Sequence, residues 1–409
     1  MRGGMRASPP DKVGLASLST AVRRAGGSVA HPGPALDDAL ELRAAYIEGG
    51  AGGEATSLGF ECLREDVEEV MGLFAELLLT PAMPQDKLDL AKAQVLNTLA
   101  HMNDSAAAIP RRKLAQLLYG SSSVFARQPT PAQVSALQRD DLIVHLQRWE
   151  RPDAAILGVA GDFDAPAMRE LVERTLGGWR VAPGQPAQPP PVPNSPLPPP
   201  PPPGRVFLVD RPGMTQAAVA MGEVGVSASD PDMAALDVLG DVLNSFGGRL
   251  FDRIRSREGL AYSVSGGFDT SPVDHPGLFV AGGETAAPAE FLSLLRASLQ
   301  EAAEAAPTAA EVATAQEEAL NSFVFNFAST GAQLQRSVAY ALLGLPQDYL
   351  FRYKAAVEAV APQDVLAAAR KRLHPCSQVV VVAADARSMR AQLERAGWDV
   401  VDMDLDGPA

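Results

Sequence analysis

Two side chains in the second half of the chain, Arg255 and Tyr262, carry polar groups that could do chemistry. A guanidinium and a phenol are both hydrogen-bond donors, and together they can hold an anion or a group that becomes negatively charged. They stand seven residues apart with Gly259 between them. An arginine is also common as a solvated charge on a helix, and a tyrosine as an ordinary aromatic residue of a strand. The pattern alone therefore leaves a chemical role and a purely structural role both open.

The residues around the pair predict a short helix, a turn and a strand. Two glycines end a preceding helix, and residues 249–257 form a basic amphipathic stretch with apolar side chains on one face. Gly259 ends that stretch. Beyond it, apolar or aromatic residues alternate with serine and glycine, which is the period of a half-buried strand. The sequence therefore places Arg255 at a helix end and Tyr262 at the start of a strand.

The stretch 245–269 resembles a signature of the insulinase/pitrilysin family of zinc peptidases, the inverzincins. This family includes the mitochondrial processing peptidases and paired bacterial subunits. Its second half carries an Arg-Leu helix, an arginine and then Gly-Leu-Ala-Tyr-Ser-Val, as at 259–264 here. Arg255 and Tyr262 fall on the arginine and tyrosine that the family extends toward the active site. The resemblance implies that the tyrosine donates a hydrogen bond to the scissile carbonyl as it becomes an oxyanion, while the arginine positions the substrate or that tyrosine.

The zinc-binding residues of that family are missing from the matching positions. Residues 14–16, Gly-Leu-Ala, resemble the start of the helix that bears a His-x-x-Glu-His motif. Family members with this motif bind zinc through both histidines and a distant glutamate, and the inner glutamate is the general base. Residues 17–21 read Ser-Leu-Ser-Thr-Ala instead. We therefore expect this chain to bind no metal or cofactor of its own, and the degenerate positions are Ser17, Thr20, Ala21 and Asn97.

No other sequence pattern supplies a metal site or a nucleophile. His101 and His145, which are 44 residues apart, are the closest pair among the five histidines. A site assembled from distant histidines stays open as an alternative. The glycine-rich turn at 49–53 lacks the lysine of a phosphate loop, and no Gly-x-Ser-x-Gly elbow occurs.

Length and composition indicate a globular protein of two or more domains. The chain has 409 residues, of which 46% are hydrophobic. Its 49 acidic and 35 basic residues give a net charge of −14, which argues against nucleic acid or an anionic membrane as a partner and would suit basic peptides. Cys62 and Cys376 are too few for a disulfide framework. The longest apolar run, 379–384, is too short to span a membrane, and the first ten residues do not resemble a secretory signal.

A proline-rich segment, 183–203, separates two parts of the chain. Such a segment cannot pack a core and predicts a stiff polyproline spacer, with a ligand for an SH3-like partner as the alternative. We predict a first peptidase-like domain at 1–182, a linker at 183–204 and a second peptidase-like domain, which carries the Arg/Tyr pair, at 205–409.

The two halves repeat one pattern. The Asp141 helix start and the apolar run before Asp162 recur 223 residues later, at Asp364 and before Asp385. With the resemblance, this predicts an α+β fold of two similar domains, each a mostly antiparallel sheet packed with helices, and a buried strand at 154–160. Two strands precede the first helix of the second half, and their counterparts would lie before or at residue 5. The first domain is therefore expected to lack its leading strands. Either the true start lies upstream, with any leader, or something else must cover the sheet edge.

Together with the resemblance, these features predict a non-catalytic subunit of a heteromeric zinc peptidase. A partner of the same family would carry His-x-x-Glu-His and the zinc, and this chain would supply Arg255 and Tyr262 in trans. The two chains, as a heterodimer or a higher oligomer, would enclose a chamber for extended peptides. The alternative is a purely structural subunit, like the core proteins related to processing peptidases in respiratory assemblies. An independent peptidase would need zinc in the isolated chain. The resemblance suggests a bacterial protein and leaves the compartment open between envelope and cytoplasm.

Overall fold

Residues 1–244, 247–269 and 274–407 are described by the structure, a computed structural model. The first two residues of the signature stretch, 245 and 246, lie outside these ranges. Contacts group the chain into two units. Unit 1 comprises Met1–Met102, Arg127–Asn194 and Leu334–Gly344, and unit 2 comprises Asn103–Ala126, Ser195–Gln333 and Leu345–Ala409. Each unit therefore contains one segment from the opposite half of the sequence.

Helices and strands are numbered in chain order. The α-helices are α1 (Leu15–Gly26), α2 (Gly33–Glu41), α3 (Val67–Leu79), α4 (Gln85–Ala100), α5 (Ala108–Tyr119), α6 (Pro131–Ala136), α7 (Arg139–Trp149), α8 (Ala165–Leu176), α9 (Met233–Asn244), α10 (Pro288–Glu304), α11 (Ala309–Phe323), α12 (Thr330–Leu343), α13 (Tyr349–Ala359), α14 (Pro362–Arg372) and α15 (Ala386–Arg395). The strands are β1 (Tyr46–Ala51), β2 (Thr56–Glu61), β3 (Arg205–Asp210), β4 (Ala217–Val224), β5 (Val264–Phe268), β6 (Leu278–Thr285), β7 (Val379–Ala384) and β8 (Asp399–Met403). A π-helix covers Phe251–Arg257, and 3-10 turns cover Met5–Ala7, Arg64–Asp66, Pro152–Ala154 and Val324–Phe327.

Unit 2 is built on a six-stranded sheet in the order β5-β6-β4-β7-β3-β8. The pairs from β5 to β7 are antiparallel, whereas β7-β3 and β3-β8 are parallel. Every residue of β7 is buried. A strand that is apolar on both faces needs a cover on each side of the sheet.

Helices from both halves of the sequence provide these two covers. On one face, β3, β4, β6 and β7 share an apolar core with α9, α10, α14 and α15. On the other face, α5 packs on β4 and β7, although it belongs to the first half of the sequence. Its buried residues Ile109, Leu114 and Leu118 contact the second face of the sheet. The sheet of unit 2 therefore depends on a helix that precedes it by about a hundred residues.

Unit 1 contains the antiparallel pair β1-β2, the only regular strands among its described residues. One apolar cluster joins α1, α4, α6 and α7, and a second joins α2, α3 and α8 with the strand pair. The segment Leu334–Gly344, most of it α12, belongs to this unit. A Cβ placed on Gly158 would lie 2.6 Å from Leu334 Cδ1 and 2.7 Å from Val338 Cγ2, so α12 packs directly on the backbone there.

The helix positions confirm the predicted pair of similar domains and the α+β class. Adding 223 to the bounds of α5 gives 331–342, within α12, and adding it to those of α7 gives 362–372, which are the bounds of α14. Each half thus contributes the same helix, α5 or α12, to the opposite unit. The domain boundaries at 182 and 204 rest on the proline-rich segment and stay predictions, since units 1 and 2 each include segments from both sides of it.

The predicted buried strand at 154–160 is wrong. Residues 155–160 form no regular structure, and Ile156 and Leu157 are 36% and 46% exposed. The matching strand of unit 2, β7, is held by hydrogen bonds to β3 on one side and β4 on the other. The described part of unit 1 has no strand in either place. An apolar sequence becomes a strand only where a neighbour takes up its backbone hydrogen bonds.

Smaller differences follow from local backbone interactions. Helical spacing at residues 11–25 predicts a helix capped by Asp11, whereas in the structure Gly14, with φ 95°, directly precedes α1. The sequence also predicts helical structure at 131–149, and in the structure this stretch divides into α6 and α7 because Leu137 leaves helical geometry between them. The proline-rich segment 183–203 contains no helix or strand. Within unit 1 it is tied down, because the Pro186 carbonyl accepts a hydrogen bond from Arg151 at 2.8 Å.

Replacing Leu114 with alanine tests whether α5 is an integral part of unit 2. This fully buried side chain packs on β4 and β7, so Leu114→Ala should lower the free energy of unfolding by about 2 to 5 kcal/mol. Urea unfolding measures the change, and hydrogen exchange in β4 should quicken. Leu90→Ala, at an exposed position on α4, is the control and should change stability by less than about 0.5 kcal/mol. Equal effects of the two substitutions would show that α5 is not needed by the sheet.

Candidate functional site

Arg255 lies in the π-helix Phe251–Arg257, where the sequence predicts an amphipathic helix. Ile254 and Leu250, on its inner side, are fully buried in the core of unit 2. Gly259, with φ 64°, ends the helix in the left-handed region, and its N–H donates to the Arg255 carbonyl at 3.1 Å. The wider turns of a π-helix are rare and occur often at functional sites.

The structure brings Arg255 and Tyr262 into contact. The guanidinium carbon of Arg255 lies 4.9 Å from the centre of the Tyr262 ring and 4.7 Å from that of the Phe251 ring. Both distances are those of a cation–π interaction, which restricts the guanidinium and the phenol together. Tyr262 is 76% exposed, so its hydroxyl is accessible from outside the chain. It precedes the first residue of β5, Val264, by two positions, so the predicted strand start is early by two residues.

The segment around the pair is fixed to the sheet by polar side chains. The Asn244 amide pairs with both backbone groups of Gly266 in β5, accepting from its N–H at 2.7 Å and donating to its carbonyl at 2.6 Å. The Thr285 hydroxyl at the end of β6 donates to the Leu260 carbonyl at 2.6 Å. These bonds fix the backbone at residues 260 and 266, on either side of Tyr262, so Tyr262 projects from a defined backbone.

Two ion pairs attach the arginines of this segment to neighbouring helices. Arg249 makes a bidentate pair with Glu311, with N–O distances of 2.6 and 3.0 Å. Hydrogen bonds from Arg249 are the main reason that the pKa of Glu311 falls from 4.5 to about 2, and Thr308 contributes further. Arg253 pairs with Glu301 at 2.9 Å on a more exposed part of the surface. Arg255 is left facing the two aromatic rings.

Sequence reasoning missed the residues that support the pair. Asn244, Glu311 and Thr285 are 10 to 60 residues away from it in the chain, and neither periodicity nor spacing connects them to Arg255. One signal was available, because Thr308 and Glu311 form the Ser/Thr-x-x-Glu pattern of a helix capping box, which the structure contains.

A cavity lies beside the same turn. Glu258 and Leu260 line an open cavity of about 900 Å³ in unit 2 together with residues of α10 and α15. Arg255 and Tyr262 do not line it. The pair therefore forms a protruding group of donors on the surface of unit 2.

The positions that match the zinc motif do not fit a metal. Thr20 is buried on α1, and its hydroxyl donates to the Ser17 carbonyl at 3.0 Å. Ala21 has no donor atom, and Asn97 is an exposed amide on α4. Within the described ranges, no three histidine, cysteine or acidic side chains are placed to hold a metal ion. No chemical step through zinc can be assigned to these residues.

The histidines are engaged in separate local interactions. His145 is buried on α7, and this burial lowers its pKa to about 4, so it is neutral at physiological pH. His31 contacts Glu76 at 2.7 Å, and His374 contacts Glu223 at 2.8 Å. The alternative of a zinc site built from distant histidines finds no support in these contacts.

Residues 136–319 match the peptidase M16 inactive domain, and the match includes Arg255 and Tyr262. The resemblance to the insulinase/pitrilysin peptidases is thereby confirmed. None of the helices among the described residues is long and apolar enough to cross a lipid bilayer.

Similar proteins include both zinc proteases and a non-peptidase. An uncharacterised zinc protease of Streptomyces coelicolor is 26% identical over 75% of this chain and 67% of its own length. The non-peptidase homolog YmxG of Helicobacter pylori is 24% identical over 85% of this chain and 79% of its own length. A crystal structure of a peptidase M16 inactive domain from Pseudomonas fluorescens matches with a TM-score of 0.80 and 21% identity, over 93% of this chain and 90% of that one. This last likeness supports the fold.

The pair between Arg249 and Glu311 predicts a pH dependence of stability. Because the pKa of Glu311 is lower in the folded chain than its usual 4.5, its contribution is present above pH 4.5 and is lost as the pH falls toward 2. Glu311→Gln should lower the free energy of unfolding by about 1 kcal/mol at pH 6, a figure reduced for the partial exposure of the pair. The difference from the unsubstituted chain should shrink between pH 4.5 and 2 in urea unfolding. Glu301→Gln, in the more exposed pair, is the control, and a pH-independent difference for Glu311→Gln would contradict the assignment.

Proposed function

We propose that this chain is the non-catalytic subunit of a heteromeric M16 peptidase and supplies Arg255 and Tyr262 to the zinc site of a partner. The observation that carries the proposal is the exposed phenol of Tyr262, held by a guanidinium at 4.9 Å on a well-anchored segment. The match to an inactive M16 domain supports a role without metal chemistry of its own. A donor pair of this kind serves peptide hydrolysis only when another chain provides the metal.

Peptide hydrolysis develops a negative charge on the oxygen of the scissile carbonyl. A donor that is already placed for this charge stabilises the transition state more than the ground state, by about 3 to 4 kcal/mol for a single donor. In this proposal the Tyr262 hydroxyl is that donor. The guanidinium of Arg255 holds the ring in place and adds a positive charge beside the oxyanion.

The partner in this proposal is an M16 chain with a His-x-x-Glu-His helix, since M16 inactive domains pair with catalytic M16 subunits. The two chains would form a heterodimer or a higher oligomer and enclose a chamber for extended peptides. The net charge of −14 on this chain would favour basic peptides within the chamber. The zinc would belong to the partner.

A purely structural subunit is the second candidate, and one surface feature favours it. Phe323, Phe327 and Phe351 pack their rings together at 5.4 to 5.9 Å on unit 2, and Phe325 beside them is 73% exposed. An apolar patch of this type suits contact with another protein. Under this candidate, Arg255 and Tyr262 would be remnants without a role in turnover.

Tyr262→Phe distinguishes the two candidates. The substitution removes one hydroxyl from an exposed ring and keeps the cation–π contact, so assembly with a His-x-x-Glu-His subunit should be unchanged. Turnover of an unstructured peptide by the complex should fall roughly a hundredfold to a thousandfold, mainly in kcat.

The control for this experiment is Tyr46→Phe, at an exposed tyrosine of unit 1. It should leave both assembly and turnover unchanged. If the complex with Tyr262→Phe keeps full turnover, the donor role is wrong and the structural candidate is favoured.

The metal content of the isolated chain gives an independent prediction. Because the matching positions offer no zinc ligands, the purified chain should contain well under one zinc per molecule by elemental analysis and should not hydrolyse unstructured peptides. Stoichiometric zinc together with peptidase activity that a chelator abolishes would instead indicate an independent peptidase.

A further inference from the structure

Two aspartates on α9 are half-buried beside the apolar core of unit 2. Asp237 and Asp241 are four residues apart, so their carboxylates lie on one face of the helix. The Asp237 carboxylate accepts a hydrogen bond from the Tyr353 hydroxyl of α13 at 2.8 Å. Within the part of the chain that the structure describes, the Asp241 carboxylate accepts no hydrogen bond, and neither carboxylate has a cation paired with it.

This placement makes both carboxylates hard to ionise. Burial is the main reason that the pKa of Asp237 rises from 3.8 to about 6, and the charge of Asp241 adds to the rise. The hydrogen bond from Tyr353 favours the ionised form of Asp237, but burial outweighs it. Burial also raises the pKa of Asp241 to about 6, with a contribution from Glu318 on α11. The folded chain therefore binds protons at this face of α9 more tightly than an unfolded chain does.

The elements packed against α9 do not offset these charges. The titratable and charged groups that α11, α13 and α14 contribute are Glu318, Tyr349, Tyr353, Lys371 and Arg372. The two cations pair, at 2.8 and 2.6 Å, with aspartates that precede the first residue of α9. β5, which also packs on α9, has no titratable side chain. Ionisation of both carboxylates thus adds negative charge beside Glu318.

α13 is held differently at its two ends. Near its C-terminal end it buries Val357, and the Gln316 amide of α11 donates to the Val357 carbonyl at 2.7 Å and to two neighbouring carbonyls at 3.1 and 3.2 Å. Its N-terminal half is held through two phenols, Tyr353 on Asp237 and Tyr349 on a backbone carbonyl at 3.2 Å. The apolar anchor of α13 and three hydrogen bonds from one side chain are thus concentrated at its C-terminal end.

The N-terminal half of α13 also carries part of an aromatic cluster. The Phe351 ring lies 5.9 Å from the Phe323 ring and 5.7 Å from the Phe327 ring. Phe351 precedes Tyr353 by two residues. A displacement of the N-terminal half of α13 would therefore separate Phe351 from the other two rings.

We propose that Asp237 and Asp241 form a proton-operated latch, which holds the N-terminal half of α13 against α9 in acidic solution and releases it in neutral solution. Below about pH 6 both carboxyl groups are neutral, and α13 packs over them. Above it they are ionised, repel each other and Glu318, and gain by exposure to water. Because both pKa values are raised above the usual 3.8, the stabilising contribution is present in acid and is lost as the pH rises through 6.

Hydrogen exchange of the full chain at pH 5 and pH 7.5 tests the latch, after correction for the effect of pH on the chemical exchange rate. Each carboxyl group that titrates near pH 6 in the closed state should make opening roughly tenfold rarer at pH 5. Amides in the N-terminal half of α13 should therefore be protected roughly a hundredfold more at pH 5 than at pH 7.5. Amides of α10 should show no comparable change.

Substitutions by asparagine remove the charge and keep the shape. The double variant Asp237→Asn with Asp241→Asn should protect α13 equally at the two pH values, and each single variant should keep roughly a tenfold ratio. Asp348→Asn, at an exposed aspartate directly before α13, is the matched control and should keep the full ratio. Carbon NMR of aspartate carboxyl groups in the unsubstituted chain gives a readout that does not depend on whether the variants fold, and two groups should titrate near pH 6.

Three results would overturn the proposal. The first is equal protection of α13 at pH 5 and pH 7.5 in the unsubstituted chain, and the second is an unchanged ratio in the double variant. The third is that all aspartate carboxyl groups titrate below about pH 4.5, which is near their ordinary range. None of these measurements involves a partner or peptidase activity, so the result is independent of the function proposed above.

Discussion

The structure depends on covering both faces of an apolar sheet. β7 is buried at every position, so the sheet of unit 2 needs a helical layer on each side. One layer comes from α9, α10, α14 and α15, and the other from α5 of the first half of the sequence. The repeat makes this exchange reciprocal, because α12 takes the matching place in unit 1. Neither half of the sequence can therefore complete its own unit without the other.

The same scaffold explains why the Arg/Tyr segment can be both exposed and well defined. Its inner side is held by buried Ile254 and Leu250, and its ends are held by hydrogen bonds from Asn244 and Thr285 to the backbone. The anchored side chains of the segment lie in the core of unit 2, and the phenol of Tyr262 is exposed on its surface. In the function proposed above, this segment would be half of a hydrolytic site, because it has donors suited to an oxyanion while the zinc-motif positions on α1 carry no metal ligands.

Much of this could be predicted from the sequence. Helical periodicity and the repeat at 223 residues predict most elements, and the family resemblance implies the α+β class with its mostly antiparallel sheets. The spacing of Arg255, Gly259 and Tyr262 predicts Arg255 at a helix end and Tyr262 at the start of a strand, and the structure brings the two residues together. Local patterns predict helices, strands and turns because the residues that form these elements are neighbours in the chain.

Features that depend on distant partners could not be predicted in this way. The amphipathic pattern of α5 indicates a buried face but not which sheet covers it. The apolar run at 154–160 is typical of a strand, yet strand formation requires neighbours on both sides that only the folded arrangement supplies or withholds. The π-helix and the contacts of Asn244 and Glu311 likewise arise from packing between segments far apart in sequence.

In the proposed function Tyr262 reaches into the active site of another chain, and site-specific photo-crosslinking tests this most directly. A benzophenone side chain placed at position 262 should, in the assembled complex, form crosslinks to the His-x-x-Glu-His helix of the partner and to bound peptide. The same group at position 46, on unit 1, serves as the reference. Crosslinks from position 262 that map only to surfaces remote from the partner's zinc helix, or only within this chain, would contradict the account.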